Sequence, residues 1–72
     1  MTQNQFESCV IMGLGYIGLP TSVVIARAGM SVIGVDVNER TVSAINAGRC
    51  PIEEPGLPEA IAEFVADGRI VA

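Results

Sequence analysis

Ser8-Cys9-Val10-Ile11-Met12-Gly13-Leu14-Gly15-Tyr16-Ile17-Gly18 is the stretch that decides how this chain reads. Its first five residues form a short apolar run with the length and β-branched content of a buried parallel strand. Three glycines then follow in a G-x-G-x-x-G spacing. Beyond them Ile17, Thr21, Val24, Ile25 and Ala28 recur at helical spacing, which predicts a helix with its apolar stripe along those residues. Gly29 is placed to end it. Pro20 is compatible with that helix only near the first turn, where few amide donors are needed.

Working outward, Ser31-Val32-Ile33-Gly34-Val35-Asp36 is a second nearly continuous apolar run, again a strand expected to be buried on both faces. Asn38 is a good helix N-cap, Val42 and Ile45 give a helical stripe, and Gly48 a stop. Arg49 to Gly56 is a loop with two prolines. Pro58 opens a further helix at a permitted position, with Glu59 in its first turn and Ile61, Phe64 and Val65 as its buried stripe. Gly68 ends it, and Arg69-Ile70-Val71-Ala72 starts a third strand. Residues 1–7 read as a loose polar start. The order strand, helix, strand, helix, helix, strand implies an α/β fold with a parallel sheet. No internal repeat or linker interrupts it.

Composition narrows the chemistry. The chain has 72 residues, half of them apolar, and four Arg against eight acidic residues, for a net charge of −4. Folding must offset roughly 1.5 kcal/mol of conformational entropy per ordered residue, so this length carries one small core. There is no His and no Lys. That removes a His general base, a Schiff-base lysine and a P-loop lysine. Two Cys without His do not make a four-ligand zinc site, and no metal is expected. The acidic balance argues against nucleic acid and anionic membranes as partners. Residues 9–26 carry no charge until Arg27, but Gly13, Gly15, Gly18, Pro20, Thr21 and Ser22 break the run, which suits strand, turn and helix rather than a membrane span. The start lacks the basic residues of a signal peptide. Cys9 reads as a small core residue, and both cysteines as reduced thiols of a cytoplasmic protein.

A lone glycine fingerprint is weak, but here it follows a strand, opens a helix and is answered by an acid, Asp36, at the end of the next strand. Each part has a job in holding a dinucleotide. Gly13 permits the sharp exit from the strand, Gly15 leaves room for a pyrophosphate, and Gly18 lets helix and sheet pack closely. The helix N-terminus offers amides and a positive dipole end to phosphates. Asp36 accepts from the adenosine ribose hydroxyls and repels a 2′-phosphate, so NAD is favoured over NADP. Arg40 is the counter-signal, since a nearby Arg can hold a 2′-phosphate; its plain reading is a solvated residue near the adenine edge. The candidate cofactor-binding residues are therefore Gly13, Leu14, Gly15, Tyr16, Ile17, Gly18, Asp36 and Arg40. The side chain of Ile17 is expected to pack in the core. Glu53 and Glu54 are read as a solvated loop, and no residue is assigned a catalytic role. The fold expected is the N-terminal half of a Rossmann-type doubly wound sheet.

Four segments together, Gly13 to Thr21, Gly34 to Asn38, Ile45 to Gly48 and Pro51 to Leu57, resemble the N-terminus of the UDP-glucose/GDP-mannose dehydrogenases. The wording Tyr16-Ile17-Gly18-Leu19-Pro20-Thr21 looks most like the UDP-N-acetylmannosamine dehydrogenases among them. The resemblance runs from about Cys9 to Ala72. It implies an NAD-dependent oxidation of a UDP-sugar C6 alcohol to a carboxylate in two hydride transfers, with Tyr16, Ile17 and Asp36 matching the family's NAD contacts. Many members carry a basic residue five positions after the acid; Thr41 holds that place here, one after Arg40. The family's catalytic cysteine, lysine and asparagine match nothing in this chain. Residues 1–72 are thus expected to form a partial NAD-binding domain, inactive alone, with substrate and C-terminal domains elsewhere in a parent enzyme. Alternatives are another NAD-dependent hydroxy-acid dehydrogenase, or a nucleotide-sensing module without chemistry. A chain ending at Ala72 would leave one apolar sheet face uncovered, so a homo-oligomer is expected.

Overall fold

Two five-residue strands, β1 (Ser8–Met12) and β2 (Ser31–Val35), lie parallel and in register, Ser8 opposite Ser31 through Met12 opposite Val35. The computed structural model describes residues 7–72. Helix α1 (Gly18–Arg27) joins these strands. Helices α2 (Glu39–Asn46) and α3 (Leu57–Ala66) then lead to β3 (Ile70–Val71), which pairs parallel with β2. The sheet order is β1-β2-β3. This is the α/β architecture expected, and the predicted elements fall where the glycine and proline punctuation put them.

The sheet has one covered face. Strand side chains alternate, so Val32, Gly34 and Ile70 point one way and are buried. Against them pack Leu19, Val23 and Ala26 of α1 and Ile61 and Phe64 of α3. Ile61 is fully buried, and truncating such a residue to Ala costs about 2–5 kcal/mol. The alternate residues, Val10, Met12, Ile33, Val35 and Val71, are 43–80% exposed. The strands are therefore apolar on both faces, as read, but covered on one. Cys9 is half-buried rather than a full core residue.

The stripe of α1 differs from the expected one. Ile17 and Val24 are exposed, at 82% and 65%, and Thr21 is exposed too. The buried face is Leu19, Ser22, Val23 and Ala26. Successive helix residues are about 100° apart, so the buried set, two residues out of phase with the expected one, lies on nearly the opposite face of the helix. The small residues Gly18, Ser22 and Ala26, spaced four apart, set the phase because they let the helix approach the strands. Ser22 remains satisfied in the core by donating to the Gly18 carbonyl at 2.8 Å.

Two side chains tie β3 in place. Arg69 donates to the Ala26 carbonyl at the end of α1 (3.4 Å). Asn46, at the end of α2, both donates to and accepts from the backbone of Ala72, each at 2.9 Å. Among the described residues no helix is long and apolar enough to cross a membrane, and no group of three or more His, Cys, Asp or Glu is placed to hold a metal.

Candidate functional site

The turn between β1 and α1 sits at the C-terminal ends of the strands, and three ties shape it. The Gly13 amide donates to the Val35 carbonyl at 2.7 Å. The Leu14 amide donates to Asp36 Oδ2 at 2.8 Å. The Leu14 side chain, 2% exposed, fills the notch left by Gly34, where a Cβ would stand 2.7 Å from Leu14 Cδ2. Leu14 therefore supports the turn from beneath. Gly34, a glycine inside an otherwise branched strand, is the sequence signal for such a close approach.

The three fingerprint glycines differ in what requires them. Gly13 has φ of +92°, which favours glycine. A Cβ on Gly18 would overlap the Gly13 carbonyl oxygen and press on Ile11. Gly15 has neither constraint: its φ is not positive, and a Cβ there meets nothing within 4 Å.

Helix α1 begins without a side-chain cap and without an acid in its first turn. Among the described residues the amides of Gly15, Tyr16, Ile17 and Gly18 donate to no acceptor. Pro20, third in the helix, lies where no intrahelical donor is needed. The result is a row of open amides at a helix N-terminus, the arrangement that receives phosphate groups. Beside it is a cleft of about 580 Å³ lined by Val10, Met12, Gly15, Tyr16, Ile17 and Thr21 among others. Tyr16 is 78% exposed, and Ile17 lies in the same open wall rather than in the core.

A smaller hollow of about 170 Å³, which shares Met12 and Gly13 with the cleft, is lined also by Val35, Asp36 and Val37. Asp36 is half-buried, and its Oδ1 accepts from the Asn38 amide at 2.8 Å. The Leu14 amide first, and the Asn38 amide second, hold its carboxyl below the ordinary value of 3.8 against the opposing effect of burial. It is thus ionised at neutral pH. Arg40 lies in the first turn of α2, its amide donating to Asn38 Oδ1 at 2.9 Å and its side chain exposed. Glu53 and Glu54 are exposed in the loop before α3, apart from both hollows.

Comparison with known proteins adds the relatives. The UDP-N-acetyl-D-mannosamine dehydrogenase of Campylobacter jejuni is 46% identical over 69 residues, which are 96% of this chain and 17% of that protein. The structure of the UDP-N-acetyl-mannosamine dehydrogenase of Staphylococcus aureus superposes with a TM-score of 0.86 at 43% identity, over 92% of this chain and 16% of that one. A UDP-glucose dehydrogenase of the archaeon Pyrobaculum islandicum superposes with a TM-score of 0.87 at 38% identity, over 99% of this chain and 16% of that one. The chain spans about one sixth of the length of these relatives. The UDP-glucose/GDP-mannose dehydrogenase family, NAD binding domain, matches residues 7–72. With the glycine turn, the open helix start and Asp36 in their places, the chain belongs to the NAD-binding-domain family of the UDP-glucose/GDP-mannose dehydrogenases.

Proposed function

We propose that this chain holds the adenosine diphosphate half of NAD within a nucleotide-sugar dehydrogenase that oxidises the C6 alcohol of a UDP-sugar to a carboxylate. The observation that carries the reading is Gly15. No backbone angle and no neighbour among the described residues requires a glycine there. The space in front of it is kept free for a group from outside, beside four open amides.

In this reading the amides of Gly15, Tyr16, Ile17 and Gly18 receive the pyrophosphate, with the α1 dipole adding to the attraction. Gly13 and Leu14 shape the turn. The unshared lone pairs of Asp36 accept from the ribose hydroxyls, and its negative charge excludes a 2′-phosphate. Arg40 reaches toward the adenine edge. When bound, NAD supplies the hydride acceptor. This chain's residues bind and orient; the groups that act on the sugar are placed elsewhere in a longer cytoplasmic enzyme, of which residues 1–72 form part of one domain. The exposed sheet face of Val10, Met12, Ile33, Val35 and Val71 then needs cover in the assembled enzyme, from further chain or from a second copy.

Titration calorimetry of the full-length protein with NAD and NADP tests the reading. NAD is expected to bind at least about tenfold tighter, the effect of one unfavourable charge contact. Equal or tighter binding of NADP would overturn the role of Asp36. Loss of neither cofactor on changing Gly15 to Val would overturn the site itself.

A further inference from the structure

We propose that Asp36 is also a positioning residue: its carboxylate latches the glycine-rich turn into the shape that presents its amides, before any cofactor arrives. The proposal rests on the reading above only in taking those amides to face a pyrophosphate.

The turn needs such a latch. Leu14 is flanked by Gly13 and Gly15, and glycine leaves the backbone many conformations to choose from. The peptide between Gly13 and Leu14 is planar and trans, so its N–H and C=O point in opposite directions. With the N–H bonded to Asp36 Oδ2 at 2.8 Å, the Gly13 carbonyl is sent the other way, against Gly18, where it closes the space a Cβ would need. Flipping this peptide would set a carbonyl against a carboxylate and turn the N–H toward the helix start. The carboxylate is itself anchored: Oδ1 accepts from the Asn38 amide at 2.8 Å, and Asn38 caps α2. A chain of contacts therefore runs from the start of α2 through Asp36 to the turn. Each carboxylate oxygen uses one lone pair in this way and keeps another for the ribose.

The latch and a purely ribose-binding Asp36 predict opposite results with inorganic pyrophosphate, which has no ribose. If Asp36 only meets the ribose, Asp36→Ala removes a nearby negative charge and pyrophosphate binds as well or better. If it latches the turn, pyrophosphate binding falls despite the lost repulsion. Hydrogen exchange resolved at single amides, on the full chain without ligand, reads the latch directly. Protection of the Leu14 amide is expected to drop at least about tenfold in Asp36→Ala, as for a lost bond to a charged acceptor. Should that variant fail to fold, Asp36→Asn keeps the shape with a single acceptor oxygen, and either Leu14 or Asn38 must lose protection. Unchanged exchange at both amides in either folded variant, or equal or tighter pyrophosphate binding in Asp36→Ala, overturns the latch. Wild-type protein that binds neither NAD nor pyrophosphate would overturn the functional reading instead, while the exchange result at Leu14 would still decide the latch.

Discussion

Helices α1 and α2 both start just past the C-terminal end of a parallel strand, yet they start in opposite ways. Asn38 precedes α2 in an extended conformation, and its side chain accepts from the amides of Arg40 and Thr41, at 2.9 and 3.4 Å. Glu39 adds an acid to the first turn. Ile17 precedes α1 with helical angles, an apolar side chain that caps nothing, and no acid behind it. A capping side chain contributes about 1 kcal/mol, so α1 forgoes a stabilisation that α2 takes. The difference separates a helix start whose donors the chain satisfies itself from one whose donors it leaves open.

The largest effect expected is that of Gly18→Ala. The added methyl would overlap the Gly13 carbonyl oxygen, which is backbone and has no rotamer to escape by. Overpacking of this kind costs at least about 1–3 kcal/mol, a large part of what so small a domain has. Thermal melting should show a strongly lowered or absent transition, and NAD binding should go with it. A variant with wild-type melting and NAD affinity would mean that the close approach of α1 to the turn is not needed.

Gly15→Val comes next and separates the two roles. Its side chain enters open space at a non-positive φ, so the fold should melt within a few degrees of wild type. NAD affinity in the full-length protein should fall at least about a hundredfold, because the branched side chain occupies the phosphate approach. Calorimetry beside a melting curve measures both. If affinity survives, the open start of α1 is not a ligand site and the contrast with α2 loses its meaning.

The contrast also marks what could be read without coordinates. The strand and helix order was legible because glycines and prolines punctuate it and because Ser8–Met12 and Ser31–Val35 are apolar runs of strand length. Asn38 was legible as a cap because its chemistry is local. The phase of α1 was not legible: Ile17, Thr21 and Val24 fit helical spacing as well as Leu19, Ser22, Val23 and Ala26 do, and close approach to the sheet selects the face that carries the small residues Ser22 and Ala26. The same holds in the site. The glycine spacing and Asp36 were legible as types at distances. That Leu14 packs into the notch of Gly34 and donates to Asp36 depends on two segments 22 residues apart in sequence meeting in space, which no local pattern encodes.

Asn38→Ala should cost about 1 kcal/mol, since it strips the acceptor from two α2 amides. Denaturant unfolding measures it, and a slope unchanged from wild type shows that the folded state is otherwise intact. NAD binding should weaken much less than in Gly15→Val, because the amides exposed by this change lie at α2. A loss of NAD affinity as large as that of Gly15→Val would show that the turn depends on the Asn38 side chain and not only on the Asn38 amide that holds Asp36.

The smallest effect is the dependence of stability on pH through Asp36. The Leu14 amide, and then the Asn38 amide, hold its carboxyl below 3.8 in the folded chain. A group with a depressed folded value stabilises the fold above its unfolded value, and that contribution is lost as pH falls through the folded one. Protonated Asp36, like Asn, is uncharged, keeps one carbonyl oxygen as acceptor and carries a donor on its other terminal atom. Wild type should therefore melt above Asp36→Asn at neutral pH, and the gap should close as pH drops below 3.8. Taking the difference between the two proteins at each pH cancels the titration of the other carboxylates, which both share. Because the carboxyl is partly solvated, added salt should narrow the gap at neutral pH as well. A gap that stayed constant from neutral pH to well below 3.8 would show that the two amides bond to the oxygen atoms without regard to charge, and that the tie between the turn and β2 is steric rather than electrostatic.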